Sequence, residues 1–326
     1  MLRRLAPALA LVLIACGDDA ADPGALDGGA MDLAIDMGAD AGAPDLPLLD
    51  LGAMDEGVPS DEIVLGGERP VTLQVPEDYA GESLPLVLSL HGYTSNGAEM
   101  DAYFGLPERV DERRFFLLSP TGTEERSSGN PFWNATDACC NFFRSPVDDV
   151  AYLTGLIDEA AARVAVDPAR VYVVGHSNGG FMSYRLACDA ADRIAAIVSL
   201  AGSTHGDAME CGASEPVSVL QIHGTLDSVI AYEGGALVAG TYPGAEETVE
   251  RWARRAGCTG EPTPGDPIDL VRTLPGAETE VLSYATACDP GIGASLWTIE
   301  GGNHVPFFQA DYADRLLDFL FAHPKP

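Results

Sequence analysis

Short apolar runs alternate along this chain with stretches whose apolar residues recur at helical spacing. Val71 to Val75 alternates apolar and polar positions, as an edge strand does. Leu84 to Leu90 and Phe115 to Ser119 are nearly continuous apolar runs and read as buried strands. Asp148 to Val166 places Val150, Leu153, Leu156, Ile157 and Ala160 on one helical face, and Pro168 is expected to close that helix. Val171 to Val174 predicts a strand, and a helix carrying Phe181, Met182, Tyr184 and Leu186 follows from Asn178. Strands are expected near Ile194 to Leu200 and Val217 to Ile222. A helix around Ala245 to Ala256 and a hairpin from Ile268 to Tyr284 come next. A strand from Ser295 to Ile299 and a helix from Ala310 to Ala322 complete the pattern. Strands alternating with helices predict an α/β domain over residues 63–326, with a mostly parallel central sheet flanked by helices.

Two N-terminal segments fall outside that pattern. Arg3 and Arg4 precede an apolar run from Leu5 to Ala15, too short to span a bilayer as a helix. The run ends Leu13-Ile14-Ala15-Cys16 and resembles a bacterial lipobox. Residues 1–16 are therefore expected to be a lipoprotein signal, with Cys16 lipidated and anchoring the chain at the outer membrane. An ordinary secretory signal is the alternative. Residues 17–62 hold 13 acidic and no basic residues, and no aromatic one. Such a segment buries too little apolar surface to offset its ordering entropy, so it is expected to be a disordered acidic tether.

Charge narrows the partners. The chain has 50 Asp plus Glu against 18 Lys plus Arg, a net charge of −32. Phosphate contacts need cationic side chains, so nucleic acid and anionic membrane surfaces are excluded as partners. Seven cysteines are an odd number. Assigning Cys16 to lipid leaves Cys139, Cys140, Cys188, Cys211, Cys258 and Cys288, enough for three disulfides in an extracellular or cell-surface location. Cys258 and Cys288 are the expected pair, whereas a bridge between adjacent Cys139 and Cys140 is not expected, because its ring would be strained. No Cys or His spacing matches a zinc cluster, so no metal is expected.

Gly175-His176-Ser177-Asn178-Gly179 lies between a predicted strand and a predicted helix, which places Ser177 at the apex of a tight turn. A serine hydroxyl becomes a useful nucleophile when such a turn thrusts it towards a base that a third group orients. The nucleophile-elbow chain order is serine, acid, histidine. His304, in the loop Gly301 to Pro306 between the last strand and last helix, fits the base. Asp227, just beyond the strand ending at Ile222, fits the acid, with Asp289 as runner-up. His176 is expected to point away from the serine side chain. His91 and His223 are expected to shape loops, and His205 to line the site. The backbone N–H of Asn178 and one from His91-Gly92-Tyr93-Thr94, Tyr93 before Thr94, are the expected oxyanion donors.

The segments LPLVLSLHGY, WNATDACCNFF, VDDVAYLTGLID, VDPARVYVVGHSNGGFMSYRLAC, IHGTLDSVIAY and GGNHVPF carry a family resemblance. Together they resemble the α/β-hydrolase family of secreted polyhydroxybutyrate depolymerases and feruloyl or acetyl-xylan esterases, across roughly residues 65–322. The resemblance implies an extracellular serine esterase without a cofactor, acting through Ser177, Asp227 and His304. It also implies that the cysteines of ACC and RLAC belong to a disulfide framework. The loop LHGYTSNG departs from polymer-active members, which often carry cysteine or glutamine there, and leaves the ester class open. A non-catalytic surface ligand-binding lipoprotein is the alternative of another class.

About fifteen residues separate the strand ending near Ala201 from that starting near Val217, too few for a large lid. An open site suits an ester polymer as well as a small ester. Trp133 and Phe307 are the expected substrate-contacting aromatics, with His205 beside them. Oligomeric state is not legible.

Overall fold

The computed structural model describes residues 62–326 apart from 238–239 and 285–287. The predicted signal, Cys16 and the tether up to residue 61 lie outside the described residues. Eight strands form one sheet: β1 (Leu84–Leu90), β2 (Phe116–Leu118), β3 (Val166–His176), β4 (Ala196–Leu200), β5 (Ser218–Gly224), β6 (Thr263–Pro264), β7 (Thr279–Tyr284) and β8 (Ala294–Ile299). Their spatial order is β6-β7-β8-β5-β4-β3-β1-β2. Pairing is parallel from β8 across to β2 and antiparallel where β7 joins β8 and β6.

Helices cover both faces, which is why the parallel strands are apolar on both sides. Leu86, Leu88, Leu90, Val173 and Ile197 pack towards α2 (Asp149–Ala161), α3 (Asn178–Asp189) and α4 (Ala245–Arg255), through Leu156, Phe181 and Trp252. Val87, Leu117, Tyr172, Val174 and Val198 face the other way, with Met100 and Phe104 of α1 (Gly97–Phe104) and Leu316, Leu317 and Leu320 of α5 (Tyr312–Phe321). Each fully buried aliphatic side chain contributes about 1.5–3 kcal/mol of transfer free energy. Strand alternation thus persists inside runs that look uniformly apolar.

Three boundaries differ from the sequence reading. Helix α2 ends at Ala161, and β3 starts at Val166 and runs through Pro168. The proline is tolerated because the pairing of β3 with β1 slips there, between Leu84 and Leu86. The expected hairpin from Ile268 to Tyr284 reduces to a single bridge between Ile268 and Thr279, and β7 pairs instead with β8. One carboxylate oxygen of Glu278 accepts the backbone N–H groups of Leu270 and Val271, which a hairpin ladder would have used. Helix α1 was not expected. Asn96 caps it by accepting the Glu99 N–H at 3.0 Å, and Gly105 ends it with a φ of 67°.

All six downstream cysteines are paired. Cys258–Cys288 forms as expected, and Cys188–Cys211 ties the end of α3 to the loop after β4. Cys139 and Cys140 bridge each other, contrary to expectation. The expected ring strain is that of a trans peptide, which holds adjacent Cα atoms about 3.8 Å apart. Here the peptide is cis and the Cα atoms stand 3.0 Å apart.

Candidate active site

The carboxyl ends of β3, β5 and β8 carry the three residues singled out from the sequence. Ser177 follows β3 immediately and precedes α3, with φ 53° and ψ −117°. A non-glycine residue at positive φ is strained, and it persists where its surroundings over-determine it. Here the Ser177 N–H donates to the Leu200 carbonyl at 2.8 Å. Strand and helix meet so closely that a Cβ on Gly175 would lie 2.1 Å from the Gly179 carbonyl oxygen. The side chain is therefore turned out at the sheet edge.

Asp227 sits in a tight turn beyond β5. Its Oδ1 accepts the backbone N–H groups of Val229 and Ile230, both at 2.8 Å, an Asx-type turn that anchors one carboxylate oxygen. Its Oδ2 lies 2.7 Å from His304 Nδ1, and His304 Nε2 lies 3.0 Å from Ser177 Oγ. The loops of acid and base are also tied to each other. Leu226 N–H donates to the Gly302 carbonyl and Gly301 N–H to Thr225 Oγ1, both at 2.9 Å. Burial pushes the Asp227 pKa up, but donors from His223 and His304 and the nearby His304 charge hold it well below the usual carboxylate range. The runner-up Asp289 lies elsewhere, against Gly257, with its N–H on the Ala256 carbonyl.

His176 does point away from the serine. Its Nε2 lies 2.9 Å from the His304 backbone carbonyl and donates to it, and its ring packs on Tyr103. Burial, with the adjacent His304, pushes its pKa down to about 4. His91 accepts the Gly122 N–H at Nε2 and donates from Nδ1 to the Gly92 carbonyl, and burial lowers it to about 4 as well. His323, at the end of α5, bonds the Phe319 carbonyl.

The two backbone N–H groups expected to face an oxyanion are those of Asn178 and of Tyr93 or Thr94. Asn178 is the first residue of α3, where the N–H has no intrahelical acceptor. Of the pair Tyr93 and Thr94, Thr94 donates its N–H to the Pro131 carbonyl at 2.9 Å, which leaves Tyr93. Gly92 is close enough that a Cβ there would lie 3.4 Å from Ser177 Cβ.

The expected substrate aromatics separate. Phe307 is exposed beside the His304 loop. Trp133 is fully buried, so it is not a rim residue: its ring packs on His91 and its Nε1–H donates to the His91 carbonyl. The polar neighbours that made its loop look exposed are turned inward to bonds. Asn178 Oδ1 accepts the Trp133 N–H, and Asn134 donates to the Val147 carbonyl. His205 is buried too, with Nδ1 3.3 Å from Glu210; its ring nitrogen groups with carboxylate oxygens of Asp137 and Glu210. The sequence reading missed Leu226, Val229 and Val305, exposed apolar residues within two positions of Asp227 or His304. Their signal was available as apolar side chains inside loops.

Residues 85–236 match the family model of the alpha/beta hydrolase fold. Feruloyl esterase B of Piromyces equi is 28% identical over 245 residues, covering 72% of this chain and 42% of that protein. Feruloyl esterase C of Emericella nidulans is 30% identical over 183 residues, covering 53% of this chain and 60% of that protein. The chain thus spans less than two thirds of the length of these relatives. The solved structure of an acetyl xylan esterase from Aspergillus awamori superposes with a TM-score of 0.57 at 15% identity, covering 78% of this chain and 94% of that one. By sheet order, matched segment and structural likeness, this chain is an α/β-hydrolase-fold protein.

Proposed function

We propose that the protein is a serine esterase that hydrolyses carboxylic esters through an acyl-enzyme, with Ser177, His304 and Asp227 as its relay. The observation that carries this reading is the continuous contact from Asp227 Oδ2 to His304 to Ser177 Oγ, at 2.7 and 3.0 Å. Ser177 Oγ attacks the ester carbonyl carbon while His304 Nε2 takes the hydroxyl proton. The resulting oxyanion accepts from the N–H groups of Tyr93 and Asn178, each donor lowering the barrier by about 3–4 kcal/mol. His304 then passes its proton to the departing alkoxide, leaving the acyl group on Ser177. Water, deprotonated by His304, attacks that acyl carbon, and the proton returns to Ser177 as the acid departs. Asp227 stays ionised and holds the imidazole with Nδ1 protonated.

Feruloyl or acetyl esters on a polysaccharide are the first substrate class, supported by the likeness to feruloyl and acetylxylan esterases. A hydroxyalkanoate polyester is the second, favoured by the exposed Leu226, Val229, Val305 and Phe307 beside the relay. A panel of methyl ferulate, acetylated xylan and poly(3-hydroxybutyrate) film separates them. For the chemistry itself, Ser177→Ala is expected to abolish turnover of p-nitrophenyl acetate and butyrate and labelling by a fluorophosphonate. Undiminished turnover in that variant refutes the assignment. We place the protein outside the cytoplasm, on the strength of three disulfides, and held at the membrane by lipid on Cys16. Loss of fatty-acid incorporation in Cys16→Ala tests the anchor.

A further inference from the structure

Next to Asp227 lies a chain of buried polar groups that the proposed relay does not use. Tyr184 of α3 donates its hydroxyl to Gln221 Oε1 at 2.9 Å. Gln221 Nε2 donates to the Gly202 carbonyl at 2.9 Å and lies 3.1 Å from His223 Nδ1. His223 Nε2 lies 2.8 Å from the Ile230 carbonyl and 3.4 Å from Asp227 Oδ2. Tyr184 and Gln221 are wholly buried and His223 is 1% exposed, so water cannot substitute for any of these partners.

One assignment of protons satisfies all of these groups. The Gly202 carbonyl can only accept, so the amide nitrogen of Gln221 must face it. The same nitrogen faces His223 Nδ1 and can only donate there, so Nδ1 is the unprotonated acceptor. The remaining proton of a neutral imidazole then sits on Nε2, between the Ile230 carbonyl and Asp227. The Asp227 carboxylate accepts three hydrogen bonds, two from backbone N–H groups on Oδ1 and one from His304 on Oδ2, and the His223 Nε2–H, bonded to the Ile230 carbonyl, stands 3.4 Å from Oδ2. A carboxylate offers about four acceptor directions.

We propose that His223, with its tautomer set by Gln221 and Tyr184, is a positioning residue that holds the Asp227 carboxylate in the plane from which it orients His304. This rests on the esterase reading. The Nε2–H edge of His223, 3.4 Å from Oδ2, attracts that oxygen and opposes its rotation away from His304 Nδ1. Without it the carboxylate is held at Oδ1 alone and can rotate about its bond to the side-chain carbon. His223 touches no reacting atom, and its effect passes through Asp227.

The test uses the folded enzyme on p-nitrophenyl acetate. His223→Leu keeps bulk and removes the proton, while His223→Gln keeps an N–H donor near the Nε2 position. His223→Leu is expected to lower kcat about 10- to 100-fold with KM within about twofold of the parent, because misplacing a reacting group costs rate rather than ground-state binding. His223→Gln is expected to recover most of that loss. If His223→Leu does not fold, Gln221→Leu replaces it: freeing the tautomer should lower kcat in the same sense by about three- to tenfold. An unaltered kcat in whichever of these variants folds, or a folded His223→Gln as impaired as His223→Leu, overturns the inference. A parent enzyme that takes fluorophosphonate label beside an unimpaired variant overturns it alone. A parent enzyme that neither turns over ester nor takes label removes the esterase reading, and this inference with it.

Discussion

Acid should weaken this fold through His176 before the relay carboxylate is protonated. The imidazole is buried beside His304 and its pKa is pushed from 6.5 down to about 4. A chain unfolded into water restores the ordinary value, so between pH 6.5 and 4 the unfolded state binds more protons than the folded one. Stability is therefore undiminished above pH 6.5, falls as pH drops through that window, and has lost the full contribution at about pH 4. A shift of two and a half pKa units corresponds to about 3 kcal/mol. His91, lowered to about 4 by burial, adds a loss of about the same size. Together they approach the roughly 5–15 kcal/mol by which whole domains are stable. Protonating surface carboxylates on a chain of net charge −32 acts in the opposite direction, by relieving self-repulsion. A difference measurement removes that term. His176→Gln keeps an N–H donor for the His304 carbonyl but does not titrate. Urea unfolding of parent and variant, followed by tryptophan fluorescence from pH 7 to 4.5, should show the variant gaining on the parent by about 1.4 kcal/mol per unit below pH 6.5. Parallel curves for the two proteins would refute the reasoning.

Three further outcomes follow from packing. Trp133→Ala should lose about 3–5 kcal/mol of stability by opening a cavity against His91, measured by chemical denaturation; a variant of unchanged stability and raised KM would contradict its place in the core. Cys188→Ser with Cys211→Ser opens a loop of 23 residues and should cost about 3 kcal/mol, seen as a lowered Tm. An unmoved Tm would mean the bridge closes nothing the unfolded chain lacks. Phe307→Ala removes an exposed ring and should leave stability within about 0.5 kcal/mol. It should slow release of product from feruloyl or polymer esters more than from p-nitrophenyl acetate, and equal slowing on all of them would detach Phe307 from substrate selection.

The sheet was legible because its strands are apolar on both faces, and such runs occur where helices cover both sides. The turn at Ser177 was legible for a related reason: Gly175 and Gly179 stand where backbones touch, and no other residue fits. What failed to read out depended on long-range partners. Trp133 sits in a stretch rich in Asn, Asp and Thr that resembles a surface loop. Its burial is decided by Asn178, 45 positions away, which bonds both its N–H and its carbonyl. The hairpin from Ile268 failed because one Glu278 oxygen captured two N–H groups, a local competition that periodicity cannot register. Asn96-x-x-Glu99 and Gly105 did carry a capping signal for α1, but the short apolar stripe between them was too sparse to draw attention to it.

The three residues of the proposed relay come from loops more than 40 positions apart, yet little of their alignment is left to those side chains themselves. Ser177 is fixed by its own N–H on Leu200, Asp227 by two backbone donors, and the His304 loop by Thr225, Leu226 and the imidazole of His176. Each anchor is a backbone group or a side chain outside the relay. Removing any one of Ser177, Asp227 or His304 therefore leaves the other two loops where they were. The carboxylate–imidazole bond and the hydroxyl contact are consequences of a prebuilt edge rather than its cause. That arrangement also explains the strain accepted at Ser177: a hydroxyl held at one aim needs a backbone that cannot relax, and the Leu200 bond, the close glycines and the helix that starts at Asn178 together supply it.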